Sequence, residues 1–465
     1  SIRAKTGRVT IANPDGFDGD VFAAMDGLNA KVKLLPLLSK RVEISAFELR
    51  NPVINLQKKA DGSANWVIGT PETDVPANDK AEEGPFKRDG RFAGLDPAIG
   101  RFAIENGAIT YSDAVTGKSY DLKEANLAFA LPSLSKPVAV KGDVLFGGEP
   151  VTLDLSLETP RKFLDGQAAP LSLAIETAFA SLKAEGEFLA SEDIAFDLSI
   201  DGGVTDMAKI AAYVPSELPL SALAETLSLK GNYRFDGKTL TAKGADISAK
   251  GPALDAAYKG DAVLADTPVL NGAVDLDVRD IPMLAGLLKQ DITGLDLART
   301  LTLTADLAAE GTGFKAQNII ANIGGDGLDA AFKGTAAFAD TVSANGNFTA
   351  NAASIPSLVQ ALKLDIPQAA ALGSADVEGT LKMAGSDITL GAMNAVTKGG
   401  TAQGSYNGDV TLGEALAFNG TFDAGLSSLA DFASATGTAV PYSHAIGKVT
   451  ATGTVSGKGE NISIT

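Results

Sequence analysis

Few residues of this chain are of the types that carry out catalysis or bind metals. The 465 residues include no Cys and a single His, His444. The absence of thiolates excludes cysteine-based zinc sites, iron–sulfur clusters, disulfides and thiol nucleophiles, and one His cannot build a multi-histidine metal site. Ser443 precedes His444, but nothing around it resembles the strand-to-helix elbow that exposes a nucleophilic serine. We interpret His444 as a surface-loop residue, and we expect no catalytic residue, no metal and no cofactor.

Carboxylates are the abundant reactive group, with 57 Asp and Glu against 39 Lys and Arg and a formal net charge of −18. Aspartates cluster at 15–20 and at 324–329, but neither cluster has the spacing and closing Glu of an EF-hand, and turn formation explains their Asp-Gly pairs. Paired carboxylates can hydrolyse glycosides, but the single Trp, Trp66, offers little aromatic surface for sugars, and we interpret it as a core anchor. The negative charge argues against binding of nucleic acid, and against binding of anionic lipid headgroups through a general basic field. We expect a non-enzymatic protein with no nucleic-acid partner.

The elements that position the remaining side chains recur every 74 residues. The heptapeptide at 254–260 returns at 328–334, and Tyr406 and Gly408 occupy the same places one period later. Four further columns keep this register without gaps: Gly231, Ala305, Gly379 and Gly453; Gly237, Gly311, Gly385 and Gly459; Leu240, Phe314, Ile388 and Ile462; and the segments that start at Asp206, Asp280, Ser354 and Ser428. A repeat of this length indicates supersecondary units that stack in one dimension.

Within each period, apolar and polar residues alternate, which is typical of a strand with one apolar and one polar face. In one such strand Leu254 and Tyr258 face one way, and Asp255 and Lys259 face the other. We predict about four strands per period, followed by a short helix such as 281–288. The expected fold is mostly β: an elongated, curled antiparallel sheet, which is a gutter of repeating groove units with short helices between the repeats.

The apolar face of such a sheet is a candidate binding groove. One short helix per period is too little to cover it, and its many Ala and Gly residues leave space where a packed core would have bulk. A long uncovered apolar surface is typical of a binding site. The candidate groove residues are Leu227, Leu229, Tyr233, Phe235, Leu254, Tyr258, Leu264, Leu276, Leu301, Leu303, Leu328, Phe332, Phe338, Phe348, Val377, Leu381, Phe418 and Phe422.

The chain divides into four segments by pattern and composition. Residues 1–68 are an N-terminal β segment, and residues 69–98 are rich in polar residues, Pro and Gly, which predicts a mobile loop. Residues 99–179 are a β segment that continues the sheet. Residues 180–465 are the repeats, of which the last is incomplete.

Several short motifs flank the polar loop in a fixed order: Leu35 to Leu38, Asn51-Pro52, Asp61-Gly62 and Asn65-Trp66. With the long polar insertion that follows Trp66, this order and spacing resemble the N-terminal signature of AsmA-type proteins of Gram-negative bacteria. The resemblance covers roughly residues 25–160, and it assigns the first β segment to the AsmA type.

The resemblance implies a location and a function. AsmA-type proteins are anchored in the inner membrane by one N-terminal helix and project into the periplasm. They are similar to chorein-type bridge proteins, in which an apolar gutter of strands carries phospholipid, or another amphipathic lipid, toward the outer membrane and supports its assembly. Envelope or outer-membrane proteins are further partners that the resemblance implies. The chain starts at Ser1 without Met and lacks the anchoring helix, so we expect both of its ends to be cut from a longer protein.

A second interpretation stays open from the residues themselves. Acidic, Cys-free β repeats are also common in extracytoplasmic scaffolds and adhesins, in which the apolar face is buried in a sealed core. The coils of a β-helix recur in much shorter units than 74 residues, which argues against that architecture. The state of the apolar face, open or packed shut, distinguishes lipid transfer from a scaffold.

Overall fold

The computed structural model describes residues 2–33, 44–66, 99–189, 194–211, 220–287, 289, 297–310, 313–361, 363, 366–413, 415–459 and 461–465. The protein is mostly β, with 65% strand, 11% helix and only short helices, which confirms the predicted fold class. It contains two compact units: unit 1 comprises Ser1–Val204 and Lys230–Leu240, and unit 2 comprises Thr205–Leu229 and Thr241–Thr465. The predicted loop at 69–98 and the motif at 35–38 lie outside the described residues.

The described residues of unit 1 lie mostly in strands. These are β1 (Ile2–Thr6), β2 (Val9–Ala12), β3 (Val21–Met25), β4 (Gly27–Val32), β5 (Ile44–Arg50), β6 (Val53–Lys58), β7 (Ile99–Asp113), β8 (Lys118–Leu131), β9 (Val138–Phe146), β10 (Glu149–Leu157), β11 (Ala169–Thr177), β12 (Ala180–Leu189) and β13 (Ala195–Val204). One short helix, α1 (Pro160–Leu164), follows β10. From β7 to β13 each strand pairs antiparallel with the next.

The sheet of unit 1 is mixed, so the expectation of a purely antiparallel sheet is wrong at one place. Both β5 and β6 pair with β7 in the parallel direction. The two strands are separated only by Asn51, which has a φ of 45°, and Pro52. Parallel neighbours need a crossover of a dozen or more residues, and the chain between β6 and β7 is long enough to supply it. A period-2 pattern identifies strands and faces but carries no information on strand direction.

Two strands, β14 (Thr226–Phe235) and β15 (Leu240–Lys250), contain residues of both units. The strands of unit 2 that follow are β16 (Leu254–Leu264), β17 (Val269–Val278), β18 (Thr300–Glu310), β19 (Gly313–Gly324), β20 (Leu328–Phe338), β21 (Ser343–Ala352), β22 (Leu372–Ala384), β23 (Asp387–Gly400), β24 (Ala402–Leu412), β25 (Ala417–Leu426), β26 (Val449–Lys458) and β27 (Asn461–Ile464). Each of these strands pairs antiparallel with the next, so β16 to β27 form a meander.

Short helices in unit 2 recur with the same period as the strands. The described helices are α2 (Met207–Ala211), α3 (Leu220–Leu223), α4 (Ile281–Leu287), α5 (Ile355–Ala361) and α6 (Leu429–Thr436), with 3-10 helices at Pro367–Ala371 and Ser443–Ala445. Helices α2, α4, α5 and α6 start 74 residues apart. No described helix is long and apolar enough to span a bilayer.

The column of Asp and Ser residues in the sequence marks the N-terminal ends of these helices. The Asp280 carboxylate accepts the backbone N–H of Met283 at 2.9 Å, and the Ser428 hydroxyl accepts that of Asp431 at 3.2 Å. Ser354 does the same in the repeat between them. A side-chain acceptor at this position satisfies a backbone donor that has no partner inside the helix, so the chain leaves the sheet at the same point in each repeat.

A β-bulge also recurs in each repeat. Gly244, Asn318 and Ala392 lie 74 residues apart and all have a left-handed backbone, with φ of 57°, 50° and 46°. The registers of β19 with β20 and of β23 with β24 shift at these points. Asp261 and Asp409 each accept the backbone N–H of the bulge residue, Gly244 or Ala392, at 2.8 and 2.9 Å. A bulge bends its strand and increases the local twist, so the same bend is built into every repeat.

Candidate functional site

The strand registers of unit 2 assemble one apolar face. Tyr258 pairs with Val274, and Val274 pairs with Ala305 on the next strand. One period later Phe332 pairs with Phe348, which pairs with Gly379. Side chains at paired positions point to the same side of a sheet, and the remaining registers from β16 to β26 continue these columns with apolar residues.

The opposite face of the same strands is polar. Asp275 pairs with Thr304, and Asn407 pairs with Thr421, which pairs with Thr454. On this face a cleft of about 630 Å³ includes polar side chains of β18, β19, β22 and β23. Several of its polar groups bond one another: Asn322 donates to the Thr302 hydroxyl at 3.0 Å, and Asn394 to Glu378 at 3.3 Å. The cleft is therefore part of the wetted side of the sheet and is separate from the apolar face.

The structure brings the candidate groove residues of unit 2 strands together on the apolar face. Those on β16 to β25 are Leu254, Tyr258, Leu264, Leu276, Leu301, Leu303, Leu328, Phe332, Phe338, Phe348, Val377, Leu381, Phe418 and Phe422. The remaining four occupy alternate positions of β14 and so share one face of that strand; they are Leu227, Leu229, Tyr233 and Phe235.

These side chains are mostly half-buried rather than enclosed. Of the eighteen, Tyr233 is buried, with 6% of its surface exposed, whereas Leu264 and Phe338 are 49% and 40% exposed. The other candidates are intermediate. The buried residues of unit 2 are mostly small, as in the cluster of Ala305, Ala316 and Ile319. In a sandwich with a sealed core, large apolar residues at the middle of inward-facing strands would interdigitate with a second layer and lose nearly all exposure.

The aromatic rings of this face lie flat on it, because glycines occupy the positions beside them. A Cβ built on Gly334 or on Gly346 would lie 2.8 Å from Cζ of Phe332, so the ring covers both backbones. In the repeats on either side, the hydroxyl groups of Tyr258 and Tyr406 donate to backbone carbonyls three residues further on, at 2.6 and 2.9 Å. Burial against the sheet raises the pKa of both tyrosine hydroxyls. The rings thus form a flat aromatic floor on this face of the sheet.

Unit 1 has an apolar face of its own. Leu155 of β10 pairs with Leu173 of β11, which pairs with Ala184 of β12, and Ala184 pairs with Ile200 of β13. All except Ala184 are half-buried. The half-burial of large residues is therefore a property of both units.

Two rows of aromatic rings cross the strands of unit 1, and the sequence analysis missed both. Phe47, Phe102 and Phe129 form one row, with centroid separations of 5.5 and 5.2 Å. The other row is named the aromatic strip; its rings are 6.0 to 6.2 Å apart and belong to Trp66, Tyr111, Tyr120 and Phe146. The alternation in β7 and β8 is the signal in the sequence that places these rings on one face, but it lies outside the repeats, to which the candidate groove residues belong. Trp66 is 39% exposed, so its interpretation as a core anchor is wrong.

The motif residues around Trp66 form a hydrogen-bond network, which we call the Asn65 network. Asn65 is fully buried; its carbonyl oxygen accepts the Gln57 backbone N–H at 2.9 Å, and its amide donates to the Asn55 carbonyl and the Asn13 side chain at 2.7 and 3.0 Å. Asn13 in turn donates to the carbonyl of Asp18 at 2.8 Å. The aspartate-rich loop at 15–20 is thus tied to β6 by amide groups, and the signature residues serve to hold backbone segments together.

Charged groups on unit 2 are paired at the surface. Arg279 bonds Asp255 at 2.8 Å and lies 3.5 Å from Asp277. The hydrogen bond from Arg279 lowers the pKa of Asp255, against a smaller opposing effect of burial. In the described part of the chain, no group of three or more His, Asp or Glu side chains could hold a metal ion. Ser443 is buried and His444 is exposed.

The chain has detectable similarity to one protein family. Residues 1–261, more than half of the chain, match the AsmA family. No curated protein and no solved structure matches the chain. The matched region contains the aromatic strip, the Asn65 network and the first strands of the repeats.

Proposed function

Because the chain belongs to the AsmA family, we propose that it binds lipid on its apolar sheet faces and transfers it without catalysing a reaction. The acyl chains of a phospholipid, or of another amphipathic lipid, lie against the floor of flat rings and small residues. The headgroup stays in water at the open side of the groove. In this proposal the full-length protein works in the periplasm, is anchored to the inner membrane by a helix upstream of this sequence, and supports outer-membrane assembly.

The observation that carries this proposal is the half-burial of large apolar residues at the middle of strands. Burying a Phe or Leu side chain fully is worth about 1.5–3 kcal/mol, and the incompletely buried Phe332, Phe348 and Leu381 forgo part of this free energy. An acyl chain placed on this face would recover that burial without competing for a hydrogen bond. A uniformly apolar surface favours no particular headgroup, which suits a carrier of several lipids.

The test is extraction of the purified protein with organic solvent and mass spectrometry of the lipids released. We expect several phospholipids per protein, and their loss in the Phe332→Asp and Phe338→Asp double variant, because a carboxylate on the floor must be desolvated by a bound chain. The matched control is Lys333→Asp with Thr335→Asp, which changes the polar face of the same strand and should leave the lipid content unchanged.

Circular dichroism of each variant must show an intact β fold for the comparison to count. A lipid-free wild-type protein with a cooperative melt would contradict the proposal. That result would favour the scaffold or adhesin alternative, which needs no ligand.

A further inference from the structure

The aromatic strip of unit 1 has a geometry that the lipid-binding proposal does not use. Its rings step across neighbouring strands: Tyr111 of β7 pairs directly with Tyr120 of β8, and their planes are 20° apart. At one end of the row, the Phe146 ring of β9 is inclined by 22° to the Tyr120 ring. At the other end, the Trp66 ring is inclined by 42° to the Tyr111 ring. The strip lies where β7 ends and β8 begins, so it forms one rim of the apolar face.

The turn beyond this rim exposes a further apolar residue. Val115 lies between β7 and β8 and is 56% exposed, and Tyr120 and Trp66 are each 39% exposed. Asp113 holds the turn: its buried carboxylate accepts the backbone N–H groups of Val115 and Thr116 at 2.8 and 3.3 Å and the Tyr111 hydroxyl at 3.2 Å. The exposed valine is therefore presented by a fixed turn.

Two lysines lie on either side of Asp113 at the same rim. Asp113 pairs with Lys58 on one side and with Lys118 on the other, so both lysines share its face of the sheet. The Asp113 carboxylate is engaged by the turn and by Tyr111, and Lys58 and Lys118 add two positive charges to the face that carries the strip. The two lysines are a local cluster of positive charge in a chain whose net charge is −18.

This combination matches the chemistry of a bilayer surface. Trp and Tyr rings have an apolar body and a polar tip and favour the boundary between headgroups and acyl chains. A protruding valine adds apolar area that can enter the bilayer, and lysines bind lipid phosphates. A protein partner would match the apolar area equally well, but the open rim is also continuous with the apolar face through Leu56, Ile109 and Leu122. Continuity with a lipid-binding face favours lipid as the occupant.

We propose that the aromatic strip, with Val115, Lys58 and Lys118, is a docking edge that lays unit 1 on the surface of a lipid bilayer. Lipid as the occupant rests on the proposed function, but the docking edge does not require that lipid be transferred. Docking and groove binding use different residues, so each can fail while the other holds.

Trp66 reports on this edge directly because it is the only Trp of the chain. Vesicles of phosphatidylcholine and phosphatidylglycerol are added to the purified full chain, and Trp66 emission and co-sedimentation are followed. We expect a blue shift, quenching by brominated phosphatidylcholine in the vesicles, and sedimentation of the protein. Val115→Ser with Tyr120→Ser should weaken co-sedimentation by about tenfold or more, since both side chains lose apolar burial.

The matched control is Leu412→Ser with Leu416→Ser, which removes equally exposed apolar residues, 42% and 48%, from a hairpin of unit 2. It should sediment as the wild type does, and so should the Phe332→Asp and Phe338→Asp variant. Unchanged Trp66 emission in the presence of vesicles, or equal loss of sedimentation in the control, would overturn the docking edge. Lipid extracted from the Val115→Ser and Tyr120→Ser variant should stay at the wild-type amount, which separates this failure from failure of groove binding.

Discussion

At the scale of single residues, Asn65 is a buried polar side chain that joins separate backbone segments of unit 1. It is fully buried, and its amide satisfies groups on three other residues, Gln57, Asn55 and Asn13. Asn65→Ala removes the hydrogen-bond partner of these partly buried groups, so we expect the free energy of unfolding to fall by about 1–3 kcal/mol. Urea unfolding followed by circular dichroism measures this. Asn345→Ala, at an exposed position of β21, is the control and should change stability by less than about 0.5 kcal/mol.

Arg279 makes the stability of unit 2 depend on acid pH. It lowers the pKa of Asp255 in the folded protein, so the stabilisation is present above the pKa of the unfolded chain, about 3.9, and is lost as the pH falls through the lower folded value. We expect Arg279→Gln to lower the Tm at neutral pH, and the difference from the wild type to shrink below pH 4 or so. Melting curves at a series of pH values test this. Arg299→Gln removes a more exposed pair, with Asp326 at 3.8 Å, and should show a smaller effect; a difference for Arg279→Gln that is constant with pH would contradict the argument.

At the scale of the repeated element, a larger side chain on one strand is paired with a smaller residue on the next. This holds for β17 with β18 and again one and two periods later. Val274 pairs with Ala305, whereas Phe348 pairs with Gly379 and Phe422 with Gly453. A Cβ on Gly379 would lie 3.3 Å from the Phe348 ring, and closer still to the backbone of β23. We expect Gly379→Ala to cost about 1–3 kcal/mol through overpacking. Adding Phe348→Val recreates the Val274 and Ala305 pair found one period earlier and should recover at least about 0.5 kcal/mol relative to the sum of the two single changes. Additive single effects in urea unfolding would show that the two sites are independent.

The same element shows what the sequence could and could not predict. The Gly231 to Gly453 column was visible as a repeat, but its partner across the sheet was not, because alternation assigns a face and leaves the register open. The Asp and Ser column is equally visible in the sequence, but its function as a helix cap depends on the backbone N–H groups of Met283 and Asp431, which donate to it in the folded chain. The parallel pairing of β7 had no local signal at all. Faces and periods are local properties of a chain, whereas strand partners are not.

At the scale of the whole molecule, the sequence predicts which apolar residues share a face where the chain repeats, and it makes no such prediction where the chain does not repeat. The groove residues of β16 to β25 share one face. An apolar and polar alternation that recurs in three repeats assigns the face of each position even where a single repeat departs from the pattern. The aromatic strip involves four different strands or turns in a region without repeats. Tyr111 and Tyr120 become neighbours only through pairing of β7 with β8, so no spacing in the sequence announces them.

The whole-molecule question is whether the apolar faces of the two units act as one path or as separate binding sites. Leu173→Asp places a carboxylate on the face of unit 1, and Phe348→Asp does so in unit 2; Ser172→Asp and Thr349→Asp change the opposite faces of the same strands. Transfer of a fluorescent phospholipid between donor and acceptor vesicles is the readout. If lipid must pass along both faces, each groove variant lowers the rate by about tenfold or more because a desolvated charge blocks the way, and combining the two adds little. Bound lipid, by contrast, should fall only in part in each single variant. Two partial losses of transfer that multiply in the double variant would mean that each unit delivers lipid on its own.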